Sequence, residues 1–281
     1  MLKIKSVFFA LPITILLVPA LGVAETSAYD SFDKSITLDK PTDEINAATK
    51  KSDEWLINVG LGFGYGSIYN GAAQQKFFPL PIIDASKGNW NIGLLSGIQY
   101  SFINEDNLQA GAGLSYDFGR RETDLPKRYK GLGDVDGGAQ GNLFVNYQPI
   151  EFIDLSLNII KSQGDAKSLL VTAGIGTMFP IYKESLSGLA NINVTWANED
   201  HMNAYYGVNN NQAARSKFKK YKPNAGIESI DYSIGINYEI NKKWSYNALV
   251  GVNVYQSEVK DSPIVEDAKQ PYFFNSLNYS F

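Results

Sequence analysis

The last ten residues read Tyr272-Phe273-Phe274-Asn275-Ser276-Leu277-Asn278-Tyr279-Ser280-Phe281. From the carboxylate backwards, Phe281, Tyr279 and Leu277 alternate with Ser280, Asn278 and Ser276. A strand places successive side chains on opposite faces, so this segment has one apolar and one polar face. A terminal strand with no partner after it is an aggregation hazard in water. The hazard disappears if the strand closes a barrel against the first one, and the rest of the chain bears on that idea.

The same period recurs upstream. Trp55, Ile57, Val59, Leu61, Phe63 and Tyr65 share one face, and Asn58, Gly60, Gly62 and Gly64 the other. Eleven residues at about 3.3 Å rise, tilted by about 40°, cross a hydrocarbon layer about 25 Å thick. Aromatic residues at both ends suit the two membrane interfaces. Further alternating segments are Trp90–Phe102, Leu108–Phe118, Ala139–Tyr147, Phe152–Ile160, Leu169–Phe179, Leu186–Trp196, Ile230–Ile240 and Trp244–Val254. Phe77–Asp84 is a weaker candidate, because Pro79 and Pro81 belong on edges or bulges rather than in a full strand.

Connections alternate between short turns, such as Gln148–Glu151 and Asn241–Lys243, and long loops at Gly119–Asp136, Ala197–Gly226 and Ser257–Pro271. Short periplasmic turns and long outer loops are the pattern of an outer-membrane barrel. These segments number eleven, and bacterial single-chain barrels have even counts. One strand is therefore miscounted near Gly66–Asn89. The expected fold is an all-β transmembrane antiparallel barrel of twelve strands, with ten as the alternative; a secreted β-sandwich fits the two-faced glycine and asparagine pattern less well.

Residues 1–24 read as a signal peptide: Lys3 and Lys5 precede an apolar run ending in Gly22-Val23-Ala24. Glu25–Asp53 is charged and aperiodic, and reads as a flexible periplasmic tail that could dock a partner. The barrel occupies 54–281. With no cysteine, neither disulfides nor thiolate metal sites are available. A formal charge of −4 does not suit a nucleic-acid binder. The mean hydropathy of −0.18 does not argue against a barrel, whose polar lumen dilutes its apolar belt.

Chemistry-bearing residues are few. His201 is the single histidine and reads as a solvated loop residue beside Glu199 and Asp200. There is no Gly-x-Ser-x-Gly, and one imidazole makes no histidine-rich metal cluster, so no enzyme, cofactor or metal is expected. Gly131-Leu132-Gly133-Asp134-Val135-Asp136-Gly137 resembles part of a calcium loop but lacks its spacing and final glutamate, and reads as a solvated hairpin. Arg215, Lys217, Lys219, Lys220 and Lys222, with Phe218 and Tyr221 among them, read either as a solvated charge run or as a loop held to lipopolysaccharide phosphates. The expected lumen lining is Gly, Asn, Ser, Gln and Asp with occasional Leu and Phe, leaving room for water or a folded-in loop.

Several segments, in order, carry a resemblance: Phe78-Pro79-Leu80-Pro81-Ile82-Ile83-Asp84, the Gly131–Gly137 run, Thr195-Trp196-Ala197-Asn198 and Tyr205-Tyr206-Gly207-Val208. Gln212-Ala213-Ala214-Arg215-Ser216, Asp261-Ser262-Pro263-Ile264-Val265 and the terminal Tyr-x-Phe complete the set. From Trp55 to Phe281 the chain resembles the MipA/OmpV family, with His201-Met202 in place of a usual Tyr-Met pair. The resemblance implies an outer-membrane barrel without catalytic residues. For one branch it implies a scaffold joining a lytic transglycosylase to a bifunctional murein synthase, and for others a porin-like channel or an adhesin.

Overall fold

The computed structural model describes residues 54–183 and 185–281. The proposed signal peptide and tail lie outside these residues. Among the described residues twelve antiparallel strands form a closed barrel: β1 Leu56–Ser67, β2 Gln75–Lys87, β3 Trp90–Gly93, β4 Gly97–Glu105, β5 Leu108–Arg120, β6 Val135–Ile150, β7 Ile153–Ser162, β8 Leu169–Tyr182, β9 Leu186–Ala197, β10 Gly226–Glu239, β11 Trp244–Tyr255 and β12 Lys269–Ser280. Each strand pairs with its chain neighbours, and β12 closes on β1 in the register Leu61↔Leu277. The terminal strand therefore has partners on both sides, and its edge is gone.

The apolar parity faces outward. Leu61, Phe63, Leu114, Phe118, Leu143, Ile175, Ile234 and Leu277 are all exposed. In water such a belt would be untenable; against hydrocarbon it is the expected surface of a membrane-spanning barrel. The end where β1 begins and β12 stops carries the short turns and is the periplasmic end.

Two strand expectations change. Phe77–Asp84 belongs to a full strand, β2, in unbroken register with β1. The amide N–H of Leu94 donates to the Ile83 carbonyl at 2.9 Å, so Ile83 directs its backbone groups toward β3. By alternation Pro79 and Pro81 do the same, which leaves Leu80 and Ile82 to bond β1. The prolines thus remove no bond from the β1–β2 ladder. The second change is that Trp90–Phe102 is two strands, β3 and β4, joined by a turn at Leu94–Ser96 with Gly93 opposite Gly97. Gly97 sits at φ +71°, and a Cβ there would meet the Leu114 carbonyl oxygen at 2.2 Å. The total of twelve stands, but the miscounted strand lies in this hairpin and not near Gly66–Asn89, where it was expected.

The outer loops are folded. Between β9 and β10 lie two helices, α1 Glu199–Tyr206 and α2 Asn210–Arg215; α3 Ser257–Lys260 follows β11. The Asn198 side chain caps α1 by accepting from the His201 amide, and Asn209 with Gln212 forms a capping box on α2.

Candidate functional site

The lumen holds more apolar packing than the occasional Leu and Phe expected from the strand pattern. Phe78 and Leu80 of β2, Leu189 of β9, Leu249 of β11, and Tyr272 and Phe274 of β12 form one buried apolar cluster, against which Ile82 and Leu95 pack. Glycines on the same inner face make the space. A Cβ at Gly64 would lie 2.1 Å from the Phe78 ring, and one at Gly251 would lie 2.4 Å from the Tyr272 ring. The Tyr272 hydroxyl donates to Asp231 of β10 at about 2.9 Å, giving a buried phenol a polar partner. Polar pairs line β4 to β6, where Gln109 donates to Ser101 at 3.0 Å and Ser115 to Gln140 at 3.1 Å.

Helix α1 crosses the outer mouth. Its Tyr205 hydroxyl donates to Asp117 of β5 at 3.4 Å, while its Tyr206 hydroxyl donates to Glu228 of β10 at 2.6 Å. β5 and β10 stand five places apart in a ring of twelve, nearly opposite one another, so a helix bonded to both spans the opening. Buried Arg120 donates to the Tyr205 carbonyl at 3.0 Å, and Ser262 of the β11–β12 loop donates to the Tyr206 carbonyl at 2.6 Å. Asn70, from the β1–β2 loop, donates to the Tyr206 hydroxyl.

His201 is not solvated. It is buried on α1, with Nδ1 2.8 Å from the Ser168 hydroxyl and Nε2 3.5 Å from Glu228. The helical spacing of His201, Met202, Tyr205 and Tyr206, all buried, is the reason. The three groups resemble a serine–histidine–acid relay in order alone: Ser168 is 1% exposed and no substrate can reach its oxygen.

The Arg120–Asp136 loop is likewise not a solvated hairpin. Leu125, Tyr129 and Leu132 are buried with Ile68, Tyr69, Val208 and Ile264, which ties four outer loops into one small core. Glu266 receives the Tyr69 and Tyr129 hydroxyls and pairs with Arg128. Glu122 accepts from the Gly131 and Gly133 amides, and Asp134 accepts from the Glu122 amide at 2.7 Å, so both carboxylates fold their own loop.

The basic stretch divides. Arg215 and Lys217 line an open pocket of about 680 Å³ together with Lys127, Arg128 and Lys130 from the β5–β6 loop. The Arg215 guanidinium donates to the Gly131 carbonyl at 2.7 Å, and this joins the two loops. Lys219 and Lys220 are exposed away from the pocket lining, and Lys222 pairs with Glu199 at 2.7 Å. That hydrogen bond lowers the Glu199 carboxyl below its usual range and raises the Lys222 ammonium. The interleaved aromatics are anchors: Phe218 stacks on Tyr129 and the Tyr221 hydroxyl donates to the Glu258 carbonyl. Sequence reasoning missed Lys127, Arg128 and Lys130 as partners of Arg215, since they stand some eighty positions away and only the folded loops bring them together.

A closed barrel with an apolar outer belt, short turns at one end and folded loops at the other defines an outer-membrane β-barrel protein. The family model described as "MltA-interacting protein MipA" matches residues 59–281, and the chain belongs to that family. It is 27% identical over 104 residues to the MltA-interacting proteins of Escherichia coli (strain K12) and Shigella flexneri. That alignment takes in 36% of this chain and spans 42% of the length of those relatives. Among solved structures, an outer membrane channel from Pseudomonas putida F1 aligns with TM-score 0.47 and 11% identity, over 86% of this chain and 99% of that one. The KdgM porin aligns with TM-score 0.41 and 9% identity, over 80% and 99%.

Proposed function

We propose that this protein is a non-catalytic outer-membrane platform that holds a lytic transglycosylase at its periplasmic end, with a murein synthase as second partner. The observation that carries this reading is α1 lying across the mouth, bonded to Asp117 on one side and Glu228 on the other. A barrel stoppered this way, with a buried apolar cluster packed inside it, is better suited to anchoring than to passing solutes. The family's description, an interaction with MltA, supplies the partner class. The test is cross-linking in the native cells followed by detergent solubilisation and capture of the full chain. Recovery of a lytic transglycosylase together with a murein synthase is expected; recovery of only assembly machinery and lipopolysaccharide would overturn the reading.

A small-solute channel is the second reading, favoured by the polar lumen lining around Gln109, Ser115 and Gln140. Planar-bilayer recording separates the two, since the platform gives no steady conductance and the channel does.

The outer rim adds a further assignment to this reading. Arg215, Lys217, Lys219, Lys220 and Lys222 hold the rim to lipopolysaccharide phosphates, with the first two contributing through the shared basic pocket. Cationic contacts of this kind weaken with salt.

A further inference from the structure

The barrel wall is complete only in its periplasmic half between β2 and β5. The β3–β4 hairpin that fills this place stops at Leu94–Ser96, with Gly93 paired to Asp84 and Ile98 paired to Leu114. Above those levels β2 continues from Ile83 up to Gln75 and β5 from Ser115 to Arg120, and among the described residues no ladder joins them. At roughly 3.3 Å per residue this is about 20 Å or more of strand on each side without a neighbour.

We infer that the wall is open toward the outer leaflet between β2 and β5, and that a hydrocarbon chain of an outer-leaflet lipid occupies the notch and rests on Ile82 and Leu95, the half-buried residues that cover the luminal apolar cluster. The inference rests on the outer-membrane reading of the barrel, not on the platform role. The posts and the sill are apolar: Phe77 and Ile83 on β2, Tyr116 and Phe118 on β5, and Leu94 at the turn are exposed. This surface is continuous with the lipid-facing belt and leads inward, because Leu95, next to Leu94, packs against the cluster of Phe78, Leu80 and Phe274 together with Ile82. The polar side chains at the foot are turned aside, with Asp84 and Ser96 both lying over Gly93.

The β2 edge also selects against a protein strand. The backbone groups facing the notch belong to the parity of Ile83, Pro81 and Pro79, and the two prolines offer no N–H. A strand added here would lose two ladder bonds, whereas a hydrocarbon chain asks for none. Removing donors also lowers the cost of leaving an edge unpaired at membrane depth, where an unsatisfied N–H is expensive.

The chain contains no cysteine, so a single introduced one is unique. Leu95→Cys and, as a control on the walled side of the lumen, Leu189→Cys are labelled with a nitroxide in the full protein, refolded into vesicles containing lipopolysaccharide. The expected result at position 95 is collision with molecular oxygen well above collision with a water-soluble nickel chelate, and line broadening by spin-labelled acyl chains. Position 189 should show neither. Equal readings at the two positions, or a strong nickel response at 95, would overturn the proposal. Spin–spin broadening between copies at 95 would also overturn it, by showing a second copy in the notch. The unaltered protein gives an independent reading, since spin-labelled lipid should show a slowly exchanging fraction in excess of the motionally restricted lipid around the outer belt, and this excess is lost when Leu94→Trp fills the sill. No change in that fraction would count against the lipid.

Discussion

The Tyr206 hydroxyl donates to the Glu228 carboxylate at 2.6 Å, and both groups are buried beneath the outer mouth. Tyr206 comes from the helix across the opening and Glu228 from the start of β10, so this bond ties the stopper to the wall on the β10 side, as Tyr205 and Arg120 do on the β5 side.

Burial first, and the Glu228 carboxylate next, push the Tyr206 phenol well above its ordinary value; burial and Glu266 do the same to Tyr69. A phenol whose folded pKa is raised contributes stability that is complete below its unfolded value, about 10, and declines as pH rises past it. Alkaline titration followed by phenolate absorbance should show Tyr69, Tyr206 and Tyr221 among the late-ionising phenols, together with loss of the loop cap. Tyr206→Phe should remove its share of this alkaline sensitivity. It also leaves Glu228 short of a donor, at about 1–3 kcal/mol in detergent unfolding. An unchanged alkaline profile would show that Tyr206 is not the sensitive group.

Gly64 and Phe78 are coupled by space. Gly64→Ala places a methyl 2.1 Å from the ring as it stands, so the ring must shift, at a cost of about 1–3 kcal/mol. Phe78→Leu in the same chain should recover part of that loss. Effects that add within about 0.5 kcal/mol in a double-mutant cycle would mean that the two positions do not touch.

Position parity along β2 predicts opposite responses to proline. Leu80→Pro deletes a ladder bond to β1 and leaves its acceptor unsatisfied, costing about 1–3 kcal/mol and lowering the yield of heat-modifiable, folded barrel on gels. Pro79→Ala makes and breaks no bond in the β1–β2 ladder and should leave that yield near the parent's. Equal damage from both would reverse the assigned direction of the strand.

Charge reversal in the basic pocket should weaken hold on lipopolysaccharide. Lys130→Glu with Lys217→Glu is expected to reduce retained lipopolysaccharide after detergent extraction at low salt, with parent and variant converging in high salt. Equal retention at low salt would reduce the rim to a solvated charge run. Because Glu199 is held below its usual range by Lys222, the contribution of that exposed pair is present above the unfolded carboxylate pKa and fades as pH falls through the folded one.

The sequence by itself determined the class of the fold and which residues meet lipid. Alternation is a local property, and Trp55 through Tyr65 or Leu108 through Phe118 carries it within a single strand. It could not reveal the β3–β4 hairpin. A three-residue turn between paired Gly93 and Gly97 preserves odd and even positions, so the apolar parity of Trp90, Ile92 and Leu94 runs on unbroken into Ile98 and Tyr100. Prolines at 79 and 81 argued against a strand because the direction of their missing N–H is set by the neighbour, and only the closed sheet fixes that neighbour. The stopper was hidden for a related reason: Tyr205 and Tyr206 are adjacent in the chain, yet they bond to Asp117 and Glu228, 88 and 22 positions away. Composition named the lumen residues, but whether a glycine leaves open water or receives a ring depends on the strand beside it, and that is decided by the tertiary packing of Phe78 over Gly64.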